Sequence, residues 1–128
     1  MPKLYTVAEA NALLPELTPL LTELRHQAQV MTTLEAELKE VRKHMQSNGH
    51  GRRVEQLTGQ AAVAEHALRK GLTRLHELDI ELKDAQSGLI DFYHTRDGRT
   101  VYLCWRLGEP AVAYWHDLDS GFAGRQPL

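Results

Sequence analysis

Hydrophobic residues recur along the first two-thirds of the chain at alternating intervals of four and three. This heptad spacing is typical of long helices that pack at a shallow angle. It predicts two helices separated by the polar, glycine-containing segment 47–51, and so short a loop makes them antiparallel neighbours. The first series is Leu13, Leu17, Leu20, Leu24, Gln27, Met31, Leu34, Leu38, Val41 and Met45, which only the polar Gln27 breaks. The second series is Val54, Leu57, Ala61, Ala64, Leu68, Gly71, Leu75, Leu78 and Leu82.

The N-terminal end of this helical part contains a start signal and two interruptions. Residues 6–9, Thr-Val-Ala-Glu, have the form of a capping box, which predicts that a helix begins at Val7. Pro15 and Pro19 lack an amide donor and are tolerated best in a first helical turn. We therefore predict a short helix from Val7 to about residue 14 and a long helix that begins near Pro15.

After residue 84 the pattern changes to short segments rich in β-branched and aromatic residues. Segments 90–94, 100–107 and 112–116 are predicted strands. Asp97-Gly98 between the first two is a strong hairpin signal, because both residue types accept a positive φ angle. Gly108-Glu109 is the predicted turn before the third strand.

Two-residue loops at both turns define which side chains share a face of this sheet. The face predicted to pack on the helices consists of Ile90, Phe92, His94, Val101, Leu103, Trp105, Val112, Tyr114 and His116. The opposite face consists of Leu89, Asp91, Tyr93, Tyr102, Cys104, Arg106, Ala113 and Trp115.

These elements predict one α+β domain over residues 1–128. A long antiparallel helical hairpin with a short N-terminal helix (residues 7–82) packs on a three-stranded antiparallel sheet (89–117), and an ordered tail (118–128) follows. The net charge of −2 indicates no general affinity for polyanions. One cysteine excludes an internal disulfide framework and a multi-cysteine zinc site. The chain has no membrane-length apolar run and no signal peptide, so we expect a cytoplasmic protein.

Several segments carry a family resemblance that extends over almost the whole chain. They are residues 5–15, 81–84, 88–92, 101–110, 114–117 and 121–128. In these segments the chain resembles the bacterial family catalogued as domain of unknown function 2203. The resemblance implies a small prokaryotic cytosolic protein with long helices. It implies no established activity and assigns no catalytic residue.

A pair of histidines is the candidate metal site. His94 and His116 are predicted on one sheet face, two strands and roughly 10 Å apart, with Glu109 nearby. Two histidines and one carboxylate would suit Fe(II), Mn or Zn. The favoured alternative is that both histidines lie at the edge of the core and bond to backbone or helix side chains. Cys104 lies in the middle of a predicted strand and is interpreted as a buried or interface thiol, because a nucleophilic cysteine needs both an activating base and exposure.

An aromatic row is the candidate contact surface. Tyr93, Tyr102 and Trp115 are predicted side by side on the second sheet face, with Asp91 and Arg106 beside them. An aromatic row on a face that should be solvated indicates a buried contact. We favour a dimer interface or cover by the tail. The alternative is a platform for a small ligand, with Arg106 and Asp91 as its polar handles.

The tail and the hairpin tip offer two further candidates. In the tail, Arg125 and the backbone amides around two glycines could hold an anion. The favoured alternative is that Phe122 and Leu128 pin the tail to the core, while Arg125 pairs with Asp91 or Glu109. The tip is locally basic and could contact nucleic acid, although it has no aromatic residue for base stacking. A solvated tip is favoured. The basic tip residues are Arg42, Lys43, Arg52 and Arg53.

The favoured function is a non-enzymatic assembly or interaction module. The two heptad series form a long hydrophobic seam between the helices. Two helices alone shield such a seam poorly from water, so we expect a homodimer. We also expect a further protein partner, which the sequence does not identify. The alternative is a metal- or small-ligand-binding protein, which could be an enzyme, with its site at the sheet edge. Nucleic-acid contact through the tip is the least favoured hypothesis, and an enzyme is the less favoured class.

Overall fold

Two long helices are followed by a five-stranded antiparallel sheet, so the α+β class and the helical hairpin are confirmed. The computed structural model describes residues 1–44 and 50–128. The elements are α1 (Val7–Lys43), α2 (His50–Glu77), β1 (Ile80–Asp84), β2 (Leu89–Arg96), β3 (Arg99–Arg106), β4 (Tyr114–His116), a 3-10 turn (Phe122–Gly124) and β5 (Gln126–Pro127).

Helix α1 begins where the capping box predicts. The Thr6 hydroxyl accepts a hydrogen bond from the Glu9 amide at 3.1 Å, and the Glu9 carboxylate accepts one from the Thr6 amide at 2.9 Å. Each side chain therefore satisfies a backbone donor that has no partner within the helix.

The prediction of a separate short first helix is wrong, because α1 continues without a break through Pro15 and Pro19. Each proline removes one helical hydrogen bond and crowds the preceding turn. Leu17 and Leu21, two residues after each proline, are fully buried in the main core. Packing of this stretch against the core therefore holds the helix together where local propensity favours an interruption.

The two helices are antiparallel neighbours, as the ion pairs between them show. Arg74 near the end of α2 pairs with Glu16 near the start of α1 at 2.7 Å, and Arg53 pairs with Glu37 at 2.7 Å. Away from the sheet, the predicted seam forms a separate small core of its own. Its buried members are Leu34, Leu38 and Leu57. Met45 and residues 47–49 of the predicted loop lie outside the described residues, and residues 50 and 51 belong to α2.

Helix α2 ends at Glu77, so the prediction that its seam continues to Leu82 is wrong. Asp79 has a φ angle of 56°, and this left-handed residue turns the chain into β1. Ile80 pairs with Phe92, and Leu82 packs against the core from a strand. The four-residue spacing from Leu78 to Leu82 fits a helix, but it also fits a strand, in which side chains alternate with a period of two. The pairing of this segment with β2 makes it a strand.

The sheet has the order β1-β2-β3-β4-β5. The prediction of three strands is wrong, because it missed the two edge strands, β1 and β5. The hairpin between β2 and β3 has the predicted register, including Phe92 opposite Leu103 and Arg96 opposite Arg99. Its turn residues Asp97 and Gly98 both have positive φ angles, of 51° and 77°. The Asp-Gly signal therefore determined this pairing correctly.

The predicted pairing of β3 with β4 is wrong by one residue. Leu103 lies opposite Trp115, and Tyr102 lies opposite His116. The reason is that the connection from Arg106 to Tyr114 is longer than a two-residue loop. Within it, the Val112 amide donates a hydrogen bond to the Asn11 side chain of α1 at 2.8 Å. Val112 therefore packs in the core without joining the ladder. A shift by one residue exchanges the faces of every side chain in β4.

The main core lies between the helices and the sheet face that packs on them, which is called the first sheet face. The half of each helix nearer the sheet takes part in it. Phe92, Leu103 and Trp105 from the sheet are buried there with Leu17 and Leu75 from the helices. The predicted core face of β2 and β3 is thus confirmed. The tail forms a 3-10 turn over Phe122–Gly124 and an edge strand over Gln126–Pro127.

The turn between β1 and β2 requires glycine. Gly88 has a φ angle of 67°, and a Cβ atom there would lie 2.6 Å from the Leu107 Cβ atom. We expect Gly88→Ala to lower the free energy of unfolding by about 2 kcal/mol, because a left-handed non-glycine residue costs roughly 1–2 kcal/mol and the overlap adds to it. Urea denaturation measures this. Gly59→Ala, at a helical position with open space around it, is the control and should be neutral or stabilising.

Candidate functional site

The second sheet face, which points away from the helices, carries the polar residues that the core excludes. In the observed register it is formed by Glu81, Asp91, Tyr93, Tyr102, Cys104, Tyr114 and His116. Asp91 and Tyr102 therefore keep the face predicted for them. Tyr114 and His116 join this face, whereas Trp115 leaves it for the core side.

Three potential metal-ligating side chains meet on this face at the centre of the sheet. One ligand atom each from Asp91, Cys104 and His116 lies within 4.8 Å of the other two. The three residues come from β2, β3 and β4, and all are at least 98% buried. Asp91 and Cys104 are directly opposed in the β2–β3 ladder, which brings their side chains together.

The hydrogen bonds of His116 determine where its protons lie. Nδ1 is 2.8 Å from the Asp117 carbonyl oxygen, which can only accept, so Nδ1 carries a proton. Nε2 is 3.0 Å from Asp91 Oδ1. One further proton lies between Nε2 and Oδ1. The other carboxylate oxygen, Asp91 Oδ2, is buried and has no hydrogen-bond partner.

Burial dominates the acid–base chemistry of this cluster. It raises the pKa of Asp91 above its ordinary value, and the neighbouring His116 acts in the opposite direction. Burial and the adjacent Asp91 raise the pKa of the Cys104 thiol to about 12. Both ring nitrogens of His116 are bonded elsewhere, so neither is free to take the thiol proton. Cys104 is therefore a buried thiol, as predicted, and is not activated as a nucleophile.

A second polar group surrounds Glu81, which the sequence analysis did not single out. Its carboxylate accepts hydrogen bonds from the Tyr93 hydroxyl at 2.5 Å, the Tyr102 hydroxyl at 3.1 Å and Lys83 at 2.6 Å. The bonds from Lys83 and Tyr93 lower the pKa of Glu81 despite its partial burial. The bond to Glu81 raises the pKa of Tyr93 well above its usual value. Three donors thus hold one carboxylate in its ionised form.

The tail is pinned across the second sheet face by Arg125. Its guanidinium donates to Glu109 at 2.7 Å and to the Cys104 carbonyl at 3.3 Å. It also stacks on the Tyr114 ring, 4.1 Å from the centroid, and on Phe122 at 4.5 Å. Glu109 is one of the two partners predicted for Arg125, whereas Asp91 bonds to His116 instead. The predicted pinning of Phe122 and Leu128 to the core is wrong, because both side chains are exposed. The Arg106 guanidinium lies 5.1 Å from the centroid of the same Phe122 ring.

The pair of Glu109 with Arg125 predicts a loss of stability in acid. Burial acts to raise the pKa of Glu109, but hydrogen bonds from Arg125 and from the Arg106 amide outweigh it and leave that pKa below its ordinary value. A lowered folded-state pKa contributes stability above the unfolded-state pKa of about 4.3, and the contribution is lost as pH falls through the folded-state value.

We therefore expect Glu109→Gln to destabilise the chain at pH 7 by about 1.5–3 kcal/mol, the range for a hydrogen bond to a charged group. The deficit should shrink as the pH falls below about 4, because the wild-type carboxylate is then protonated too. Urea denaturation of both proteins from pH 7 to pH 3 tests this. Equal deficits at every pH would contradict the role of the ionised carboxylate. Glu55→Gln, an exposed change on α2, is the control.

The shared face predicted for the metal ligands His94 and His116 is wrong, because the register of β4 places them on opposite faces. His94 Nδ1 lies 2.6 Å from the Tyr5 carbonyl oxygen, which is the backbone contact of the favoured alternative. Glu109 is bonded to Arg125. The structure therefore does not bring His94, His116 and Glu109 together in the predicted way.

The predicted aromatic row is formed in part. Tyr93 and Tyr102 are adjacent, with ring centroids 5.1 Å apart, but Trp115 lies on the other face. His116 takes the third place, 5.4 Å from Tyr102. Trp115 is 7% exposed and has the Arg96 guanidinium 4.7 Å from its ring centroid.

The basic residues of the hairpin tip are exposed, and some of them pair with acidic neighbours. Lys43 lies 3.7 Å from Glu40, and Arg53 pairs with Glu37 of α1. Arg42 and Arg52 are exposed as well. These pairs offset part of the local positive charge on which a nucleic-acid contact would depend.

A shallow apolar groove runs between α1 and α2 beside the main core. Its apolar floor is Leu20, Leu24, Ala67 and Gly71. A Cβ atom on Gly71 would lie 2.7 Å from the Leu24 side chain, so glycine allows the helices to approach closely here. Charged residues of both helices, including Glu23 and Lys70, form the rim. Among the described residues, those that line the groove all belong to the helices.

The fold and the two polar groups define a class of protein: an α+β protein in which a long helical hairpin supports a five-stranded antiparallel sheet whose outer face carries buried polar groups. The chain belongs to the DUF2203 family, described as an uncharacterized conserved protein, whose family model matches residues 3–128. Comparison with curated proteins and with solved structures found no match in either. Over the described ranges 1–44 and 50–128, neither helix has the apolar length that crossing a membrane requires.

Proposed function

We propose that this chain is a cytoplasmic assembly module that forms a homodimer through its helical hairpin. The observation that carries this proposal is the apolar groove between α1 and α2, which the sheet leaves uncovered. One turn from Ala67 towards the tip, Val63 lies on the same side of α2 and is 72% exposed. A valine so exposed beside an apolar groove extends the surface available to a partner.

Charge complementarity favours a second copy of the chain as the occupant. Glu23 lies on the α1 rim of the groove and Lys70 on the α2 rim. Neither forms an ion pair with another residue in the described part of the chain. A two-fold axis along the groove would place Glu23 of each copy near Lys70 of the other. Such a pairing of one patch with itself is the usual form of a two-fold interface.

The dimensions of the hairpin support a stable interface. Helix α2 has 28 residues and is therefore roughly 42 Å long. A contact along most of that length can bury the ~800 Å² per partner that is typical of specific interfaces. The helices of the dimer would then form a four-helix coiled coil around the seam, which is the arrangement that heptad spacing favours.

The second sheet face is the weaker candidate for the interface. Tyr102 and His116 are already buried within the single chain, and the tail lies over the Cys104 carbonyl. Removing these residues from water does not require a partner. We therefore assign the dimer contact to the hairpin, and we place the protein in the cytoplasm because its one thiol requires no oxidising compartment.

The molar mass in solution tests this proposal. At micromolar concentration we expect twice the chain mass of 14.5 kDa by light scattering. Ala67→Glu should reduce the mass to that of one chain, because it places a carboxylate in the desolvated centre of the contact. Leu72→Glu is the matched control. Leu72 is also exposed on α2, at 45%, but does not line the groove, and this variant should remain dimeric.

Two results would overturn the proposal. A wild-type mass of a single chain at high micromolar concentration would exclude the dimer. A dimer that survives in both Ala67→Glu and Val63→Glu would place the contact elsewhere. Circular dichroism spectra of the variants should match that of the wild type, which shows that a lower molar mass does not result from unfolding.

A further inference from the structure

We propose that Asp91, Cys104 and His116 form a binding site for one divalent transition-metal ion, with zinc as the best match. This inference is independent of the proposed dimer, because it rests on the second sheet face and not on the hairpin. The ligand set differs from the one that the sequence predicted, and only His116 is common to both.

The donor atoms suit a borderline-soft ion. Zinc is bound in proteins by thiolate sulfur at about 2.3 Å, imidazole nitrogen at about 2.0–2.1 Å and carboxylate oxygen at about 2.0–2.2 Å. Ligand atoms around a tetrahedral ion are then roughly 3–4 Å apart. Asp91 Oδ1 and His116 Nε2 are already 3.0 Å apart, and all three donors lie within 4.8 Å. A small contraction about the ion completes the geometry.

The outer contacts of His116 are those of a metal ligand. Histidines that bind metals usually donate their other ring N–H to a carbonyl or carboxylate, which fixes the ring and directs the free nitrogen at the ion. His116 Nδ1 donates to the Asp117 carbonyl oxygen at 2.8 Å. Nε2 is thereby directed at Asp91, where the ion would replace the shared proton.

An unpartnered oxygen gives an independent indication of a ligand. Asp91 is 1% exposed, and its Oδ2 atom has no hydrogen-bond partner. A buried carboxylate oxygen without a partner costs free energy that a bound cation would recover. A divalent ion with one thiolate, one carboxylate and one neutral imidazole also has no net charge, which suits a site that is at least 98% buried.

Binding releases protons in a balanced way. The ion displaces the Cys104 thiol proton and the proton shared by Asp91 and His116, so two protons leave as one divalent cation enters. No change of oxidation state is involved. The three protein ligands leave a fourth coordination position for water or a small external ligand.

The test uses the full chain without a histidine tag. It is stripped with chelator and then loaded with Co²⁺ or Zn²⁺ alone, both as the folded protein and by refolding from urea with the metal present. Both routes are needed because the cluster is covered. We expect about one ion per chain, as for a single three-ligand site. The Co²⁺ form should show thiolate-to-cobalt charge-transfer absorption, and Zn²⁺ should abolish it.

Substitutions locate the ion. Cys104→Ser should remove the charge-transfer absorption and reduce the metal content at least tenfold, and His116→Gln should reduce the content similarly. His94→Gln, on the opposite sheet face, is the matched control and should bind metal as the wild type does. Should His116→Gln fail to fold, X-ray absorption of the zinc-loaded wild type replaces it, with one sulfur neighbour expected at about 2.3 Å.

Three results would overturn the inference. The first is less than about 0.1 ion per chain after both loading routes, where one three-ligand site would hold one ion. The second is a metal content that Cys104→Ser leaves unchanged. The third is a zinc spectrum with only nitrogen and oxygen neighbours. In each case Asp91 and His116 would be a structural ion pair and no more.

Discussion

Phe92→Ala should lower the free energy of unfolding by about 3–5 kcal/mol, the range measured for the truncation of buried aromatic residues. Phe92 is fully buried at the centre of the first sheet face. Its ring meets that of Tyr5 edge to face, with centroids 5.2 Å apart. Truncation leaves a cavity between the sheet and the helices, where the rigid strands around it limit collapse.

The neighbouring position is the matched control for this prediction. Tyr93 follows Phe92 in β2, but its side chain is on the second sheet face and only half-buried. We expect Tyr93→Ala to cost about 1–2 kcal/mol, for the loss of the Glu81 hydrogen bond and of the contact with Tyr102. Urea denaturation with a constant m-value measures both variants. Losses of equal size would contradict the assignment of the two faces.

The second large effect concerns the buried pair of Asp91 and His116. We expect His116→Ala to destabilise the metal-free chain by about 3–5 kcal/mol, because removing one partner of a buried pair leaves the other charge uncompensated. The cost should be high at this site because Asp91 Oδ2 has no partner even in the wild type. The measurement is made with chelator present, so that a bound ion does not contribute to the difference.

Asp91→Asn is the conservative control for the same pair. The asparagine amide can donate to the neutral His116 Nε2 nitrogen, so the hydrogen bond survives without the charge. The expected loss is about 1 kcal/mol. The double variant Asp91→Asn/His116→Ala should be more stable than His116→Ala alone, because no buried carboxylate remains. If Asp91→Asn were as damaging as His116→Ala, the account based on an uncompensated charge would be wrong.

Local signals in the sequence were reliable where one short segment decides the structure. The capping box at Thr6 and the Asp97-Gly98 turn each act within a few residues, and both were predicted correctly. The predicted core face of β2 and β3 follows from that turn. The heptad seams also predicted the antiparallel helical hairpin, because the periodicity persists over many turns.

The candidate site was predicted less well, and the reason is the connection between β3 and β4, which is longer than the predicted two-residue loop. Its residue Val112 bonds to Asn11 of α1, about a hundred residues away in the sequence. No local pattern encodes that contact. The predicted two-residue loop at Gly108-Glu109 consequently put His116 on the wrong face. The pairing of Asp91 with Cys104 across β2 and β3, by contrast, follows from the sequence, because the Asp97-Gly98 turn fixes the register of these two strands.

By itself, the sequence determined the class of this protein: paired amphipathic helices followed by an antiparallel ribbon with one apolar face. Hydrophobic spacing and turn chemistry suffice for that, since each acts over neighbouring residues. Tertiary structure decided the rest. Packing against the core keeps α1 helical through Pro15 and Pro19, and the longer connection after β3 shifts the register of β4 by one residue. That shift brought His116 to Asp91 and Cys104, because side chains on adjacent strands meet only when the register places them opposite one another.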